Sequence, residues 1–221
     1  MSSIQQRAEV MIDAHGFLGV PRETFEAGGR AQLVRLLEHG LLPESKVLDI
    51  GCGCLRVAYW LVRFLDQGCY CGIEPARERV EAGRRHLFEP AELERARPRF
   101  DFNERFDTSV FSETFDFFLA GSIWTHCSKA SVELTLDGFA QHTTPNGVFL
   151  VSYLPATSAE DDYQGDTWVG TSHVSTEPGV IRHARSWILD ACTCRGFAVT
   201  ELPGLDCDSQ PWLRLDKTSR A

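Results

Sequence analysis

A strand that stops at Gly51-Cys-Gly53 and resumes as a helix restricts this chain to few architectures. The apolar run Lys46–Ile50 ends abruptly at that loop, and beyond it Val57, Trp60, Leu61, Phe64 and Leu65 recur at helical spacing along one face. Gly68 ends the helix, and Cys69–Ile73 reads as a second strand terminating in Glu74-Pro75. A Gly-x-Gly loop between strand and helix lets backbone approach a ligand closely. An acidic side chain at the end of the next strand is placed to grip a ribose diol. Asp49 and Glu74 stand 25 positions apart, close to the spacing such a unit requires.

Strands and helices go on alternating downstream. A helix is expected over Ala76–Phe88, a weak strand over Arg99–Phe102, a strong one over Phe115–Ala120, and a helix over Lys129–His142. Pro145-Asn-Gly147 signals a turn before a buried strand, Val148–Leu154. Pro155–Glu177 is polar, aromatic and too long for an ordinary connector, which suggests a lid. Pro178 suits a first helical turn, with Val180, Ala184, Trp187, Ile188 and Ala191 on one face and Gly196 closing the helix. Strands at Phe197–Leu202 and Trp212–Leu215 finish the chain. Alternation of this kind implies a mostly parallel sheet wound by right-handed crossovers and flanked by helices. Ile4–Leu42 reads as an N-terminal helical cap, with Leu33, Val34, Leu36 and Leu37 as its stripe. The expected organisation is one α/β Rossmann-like domain, with residues 1–42 as the cap and 43–221 as the core.

Charge and composition exclude several roles. The formal net charge is -9, and no Lys or Arg run is long enough to track a phosphate backbone, so nucleic acid is not an expected partner. The most basic stretch, Arg77–Arg99, is interleaved with Glu78, Glu81, Glu89, Glu92 and Glu94 and reads as a solvated, salt-bridged face. No apolar stretch reaches the roughly 20 residues a membrane-spanning helix needs, so no membrane partner is expected. The first ten residues show no secretory pattern, which suggests the cytoplasm. Six of the eight cysteines form C-x-C pairs, Cys52/Cys54, Cys69/Cys71 and Cys192/Cys194. That spacing is not the usual zinc one, and small buried thiols explain it more simply than a metal or redox role.

The third glycine of a dinucleotide fingerprint would fall at position 56, which is Arg56, so a pyrophosphate is a poor fit. Asp49 suits a ligand with a positively charged amino group, although it can equally serve to orient the glycine turn through backbone N–H groups. Val47–Gly53 resembles the first motif of the class I S-adenosylmethionine-dependent methyltransferases, and Gly72-Ile-Glu-Pro75 resembles their second. Phe115–His126 is similar to their fourth-strand segment, and Asn146-Gly147 before Val148–Leu154 to their turn and fifth strand. The resemblance implies a seven-stranded sheet whose last strand is antiparallel, with S-adenosyl-L-methionine as cofactor. It places Gly51, Cys52 and Gly53 on the methionyl part, Asp49 at the amino group and Glu74 on the ribose. Ile73 and Pro75 would border the adenine, and Ala120, Gly121 and Ser122 would lie under the sulfonium. No clear acidic residue follows the third strand; Asn103 or Glu104 would stand in.

Methyl transfer from a sulfonium needs neither metal nor enzyme nucleophile. His126, with an ordinary pKa near 6.5, suits removal of a proton from the accepting atom, against the plainer reading of a helix-capping histidine. Trp124, Tyr153, Trp168 and His173 are candidates for the acceptor wall, and Arg56 and, more weakly, Arg30 for facing a carboxylate. The fourth-strand end, Ala-Gly-Ser-Ile-Trp, lacks the Asp/Asn-Pro-Pro-Tyr sequence resembling amino-group methylases. With the acidic surface this suggests a small-molecule acceptor, with oxygen first among accepting atoms. The alternatives are a non-catalytic S-adenosylmethionine-binding subunit and a nicotinamide-dependent oxidoreductase.

Overall fold

The computed structural model describes residues 3–16, 18–170, 179–204 and 209–218. Its centre is a seven-stranded sheet: β1 (Val47–Ile50), β2 (Tyr70–Ile73), β3 (Arg99–Asp101), β4 (Phe115–Ala120), β5 (Thr143–Ser152), β6 (Phe197–Leu202) and β7 (Trp212–Lys217). The spatial order is β3-β2-β1-β4-β5-β7-β6. Every pairing from β3 through β5 is parallel, while β7 runs antiparallel to both β5 and β6. Chain direction therefore departs in opposite senses from β1 and β4, which lie side by side, and opens a crevice at their carboxyl ends.

The helices are α1 (Ile4–His15), α2 (Phe25–Glu38), α3 (Ala58–Phe64), α4 (Arg77–Leu87), α5 (Pro90–Ala96), α6 (Lys129–His142) and α7 (Arg185–Thr193). Local chemistry sets several of their starts. Ser3 and Gln6 form a reciprocal capping box on α1, Ser128 accepts the Ser131 amide at α6, and Pro90 opens α5. Side chains alternate between the two sheet faces, so Val47, Phe117, Leu119 and Leu150 join one apolar cluster with α1, α2 and α3. Leu48, Ile50, Phe118, Phe149 and Val151 join the other beneath α6 and α7. Each such buried side chain contributes roughly 1.5–3 kcal/mol.

Several expectations need correction. The N-terminal region is two helices, and the buried face of α2 is Phe25, Gly28, Gly29, Gln32 and Leu36; Val34 and Leu37 are exposed. Pro145–Gly147 lies within β5 rather than before it. There the register slips between Phe115 and Phe117, so the extra residues form an irregularity in the pairing. The last helix begins at Arg185, because the chain before it is drawn into extended pairing. The Ile181 amide donates to the Thr125 carbonyl and His183 to Leu154, with bridges Pro155–His183 and Asp162–Arg182. α5 has no counterpart in the apolar periodicity: Ala96 is its one buried residue. No helix among the described residues is long and apolar enough to cross a membrane.

Candidate functional site

The crevice at the ends of β1 and β4 holds a cavity of about 370 Å³, within the usual range for small-ligand sites. Its floor is the loop after β1. Gly51 and Gly53 both take positive φ, 72° and 54°, conformations that favour glycine. A Cβ on Gly51 would also fall on the Ile123 side chain, and one on Gly121 would strike the Gln32 amide. The close packing that a third glycine would allow inside the loop is supplied from outside. A Cβ on Gly29 of α2 would come within 2.5 Å of the Arg56 carbonyl oxygen, and one on Gly83 of α4 within 2.5 Å of the Cys54 carbonyl oxygen.

Two buried carboxylates face the loop. Asp49 is 3% exposed, and its Oδ2 accepts the Tyr70 hydroxyl at 2.7 Å. Burial pushes its pKa up to about 7; the Tyr70 hydrogen bond and the Arg56 charge oppose the rise, and Glu74 adds to it. Glu74 accepts the Gly53 amide on Oε2 and the Ala76 amide on Oε1, both at 3.0 Å. Burial raises its pKa as well, against those two amides and Arg79. A carboxylate offers about four acceptor positions, so two remain for a ligand. Cys52 and Cys54 also line the cavity, and burial holds both thiols protonated, Cys54 up to about 12.

At the end of β4 a polar belt forms. Ser122, held at φ 61°, donates its amide to the Ser152 hydroxyl at 2.7 Å, and its own hydroxyl accepts the Gln210 amide at 2.7 Å. Beyond the belt stands His126, whose imidazole stacks on Trp168 with ring centroids 5.4 Å apart. Its Nδ1 lies 2.7 Å from the Val169 carbonyl oxygen. A carbonyl only accepts, so Nδ1 carries the proton and Nε2 is the basic nitrogen of the neutral ring. Burial lowers the pKa of His126, Arg79 lowers it further, and the Val169 and Gly179 carbonyls oppose the shift. Leu18, Gly19, Val20 and Pro21, between α1 and α2, complete the wall with Val180.

The structure thus brings together Asp49, Gly51, Cys52, Gly53, Glu74, Gly121, Ser122, His126 and Trp168. It keeps others apart. Trp124 is fully buried, donates Nε1–H to the Thr135 hydroxyl at 3.1 Å and packs edge-on against Phe149, so it is core rather than acceptor wall. Tyr153 packs into the same cluster beneath the sheet, because strand alternation turns it away from the side where Ser152 joins the belt. Ala120 likewise belongs to that core face, and Pro75 is outside the cavity lining. Asn103 is engaged with Asp101 and Asp107 in its own loop, and Glu104 is exposed. Arg30 pairs with Glu26 on the exposed side of α2. His173 lies outside the described residues.

Sequence reasoning missed residues 18–21, Gln32, Gln210 and Arg79. Arg79 sits in a stretch whose other charges do pair on the surface, as in Arg84–Glu81 and Arg7–Glu89. It is nonetheless buried, on the α4 face that carries Val80, Ala82, Gly83 and Leu87. The signal available was Gly83, four residues on and so on the same face. Among the described residues no group of three or more His, Cys, Asp or Glu converges as a metal site.

A Rossmann-like sheet with its last strand antiparallel, and a ligand cavity at the β1/β4 switch point, is the fold of the class I S-adenosylmethionine-dependent methyltransferases. One solved structure of this fold is magnesium protoporphyrin IX methyltransferase from Synechocystis PCC 6803 with bound SAH. It has 14% identity, covers 96% of this chain and 94% of its own, and has a TM-score of 0.64. The DhpI-SAH complex has 13% identity over 98% of this chain and 94% of its own, TM-score 0.64. Streptomyces venezuelae DesVI has 15% identity over 99% and 100%, TM-score 0.62. No family model matches the chain.

Proposed function

We propose that this chain is a cytoplasmic methyltransferase that uses S-adenosyl-L-methionine to methylate a small-molecule acceptor, with oxygen as the favoured accepting atom. The observation that carries the reading is the convergence of Asp49, Glu74 and the left-handed Gly51–Gly53 loop on one cavity at the sheet's switch point. That donor set fits the cofactor: carboxylates for an ammonium and a ribose diol, and a Cβ-free loop where a close approach is needed.

When bound, the cofactor supplies an electrophilic methyl group on sulfur. Glu74 keeps two acceptor positions for the ribose hydroxyls, and Asp49 offers its carboxylate to the amino group. Gly121 and Ser122, fixed by the polar belt, support the region between cofactor and acceptor. Neutral His126, with Nδ1–H held by Val169, accepts a proton from the acceptor's hydroxyl at Nε2. Residues 18–21, Trp168 and Val180 shield the reacting atoms from water, so positioning and desolvation provide most of the acceleration.

The test is calorimetry with S-adenosylmethionine, its demethylated product and NAD. Binding of both sulfur ligands at micromolar level and none of NAD is expected. Tight NAD binding with no response to either sulfur ligand refutes the proposal. Incubation with methyl-labelled cofactor and a small-metabolite extract then tests for transfer, and a ligand-binding protein that labels nothing would be a non-catalytic subunit.

A further inference from the structure

Gln32 is a buried polar side chain to which the proposed chemistry gives no task. Only 7% exposed, it lines the cavity from α2, and its amide hydrogen-bonds to no other described residue. Its place is fixed from two sides. Gly29, three residues earlier on the same buried helix face, lies against the Arg56 carbonyl, and Gly121 at the end of β4 lacks the Cβ that would strike the Gln32 amide nitrogen. An amide shut away from water without a partner is costly. A ligand that fills the cavity must therefore bring a partner to it.

Position and chemistry narrow what that partner is. β1 lies between β2 and β4 in the sheet, so Glu74, just past β2, and Gly121, just past β4, stand on opposite sides of the Gly51–Gly53 loop. A cofactor whose ribose sits at Glu74 reaches Gln32 with its amino-acid end. Asp49 faces the ammonium of that end, which leaves the carboxylate. The loop differs here from the glycine loops that cradle anions with free amides. Its Gly51 and Cys52 amides both donate to the Ile73 carbonyl, at 2.8 and 3.1 Å, and its Gly53 amide donates to Glu74 at 3.0 Å. Ser122 gives its amide to the Ser152 hydroxyl. Arg56 and Arg79 also line the cavity and have contacts of their own. The Gln32 side chain keeps both of its N–H donors.

We infer that Gln32 is a specificity residue of the cofactor site: its amide donates to the carboxylate at the cofactor's amino-acid end, so that α2 reads whether that end is intact. This rests on the methyltransferase reading and deepens it. A carboxylate has about four acceptor positions, and Gln32 fills one of them beside any other donor.

The experiment titrates the full chain by calorimetry with three ligands: the demethylated cofactor, its decarboxylated form, which keeps the ammonium, and methylthioadenosine, which lacks the whole amino-acid end. The wild type should bind the demethylated cofactor about tenfold or more tightly than the decarboxylated form, the scale of a hydrogen bond to a charged group. Gln32→Leu should weaken the demethylated cofactor by about tenfold and each of the other two by less than about threefold. Gln32→Glu, with the same shape and a negative charge, should weaken the demethylated cofactor further and spare the decarboxylated form. Circular dichroism and thermal melting report that the variants fold. A wild type that binds both forms equally overturns the inference without any variant. A Gln32→Leu protein that loses no affinity for the demethylated cofactor, or as much for the decarboxylated form, overturns it too, as does a Gln32→Glu protein that binds the demethylated cofactor more tightly. Each of these leaves the methyltransferase reading standing. Failure of the wild-type chain to bind the demethylated cofactor overturns both.

Discussion

Replacing Asp49 with asparagine should stabilise the ligand-free protein and weaken its hold on the cofactor. Desolvation raises the Asp49 pKa to about 7, against roughly 3.9 in an unfolded chain. Three pH units at about 1.4 kcal/mol each make the ceiling on the cost of the buried charge about 4 kcal/mol. Because the folded pKa is raised, the stability associated with the protonated form is complete below pH ~4. It is lost as pH climbs toward ~7 and changes no further above that. An asparagine side chain never ionises, and it can still accept the Tyr70 hydroxyl. Asp49→Asn should therefore melt higher than the wild type at pH 8. Its advantage should widen by about 2–3 kcal/mol between pH 5 and pH 8, several degrees in midpoint for a chain of this length. Cofactor should reverse the order: its ammonium compensates Asp49 in the wild type and finds no charge in the variant, so affinity should fall about tenfold or more. Urea and thermal melts at both pH values, with and without the demethylated cofactor, measure each quantity. A variant less stable than wild type at pH 8 without ligand, or a difference independent of pH, would refute the reasoning.

Glu74→Ala should weaken cofactor binding by about 1–3 kcal/mol, and an unchanged dissociation constant in the folded variant would remove Glu74 from the site. His126→Ala should lower turnover by about 10² to 10⁴-fold with cofactor affinity nearly intact. Burial and Arg79 depress the His126 pKa, so the acid limb of the wild-type pH–rate profile should lie below the ordinary histidine value of about 6.5 and vanish in the variant. The amides of Ala156, Tyr163, Val169, Ile181 and His183 all donate to backbone carbonyls. They should exchange slowly with and without ligand; fast exchange throughout 156–169 would instead support a mobile lid over the described part of Pro155–Glu177, whose residues 171–177 lie outside the described residues.

Strands β1, β2 and β4 were legible because they are short, mostly apolar runs followed at once by glycine or a carboxylate. The expected strand Phe115–Ala120 and helix Lys129–His142 match the observed elements. Where long-range pairing decides, sequence pattern misleads. Val180 and Ala184 suit a helical face, but the backbone of residues 181–183 pairs with Thr125 and Leu154, and the helix starts later. The expectation that the loop glycines, Asp49, Glu74 and His126 lie close together comes from chemistry and chain position, and all of them line the same cavity. Trp124 was misassigned because an aromatic near a strand's carboxyl end can turn to either side of the sheet, and Thr135 supplies a partner on the core side. Arg79 was hidden because a single buried arginine among surface ion pairs leaves no mark in charge patterning. Residues 18–21 reach the cavity only through the packing of α1 and α2, which no local pattern encodes.

The turn at residues 54–56 is pressed from both sides, with Gly29 of α2 against one carbonyl and Gly83 of α4 against another. In each case the neighbour is main chain, which cannot step aside for a methyl group as a side chain can. A change at Arg56 therefore cannot rescue a larger residue at position 29, and a change at Cys54 cannot rescue one at position 83. For protein engineering this means that Val47–Arg56 is not a portable cassette. Grafted onto another strand-loop-helix scaffold, it would lose the two helices that hold its shape, and the smallest transferable unit reaches from α2 through α4.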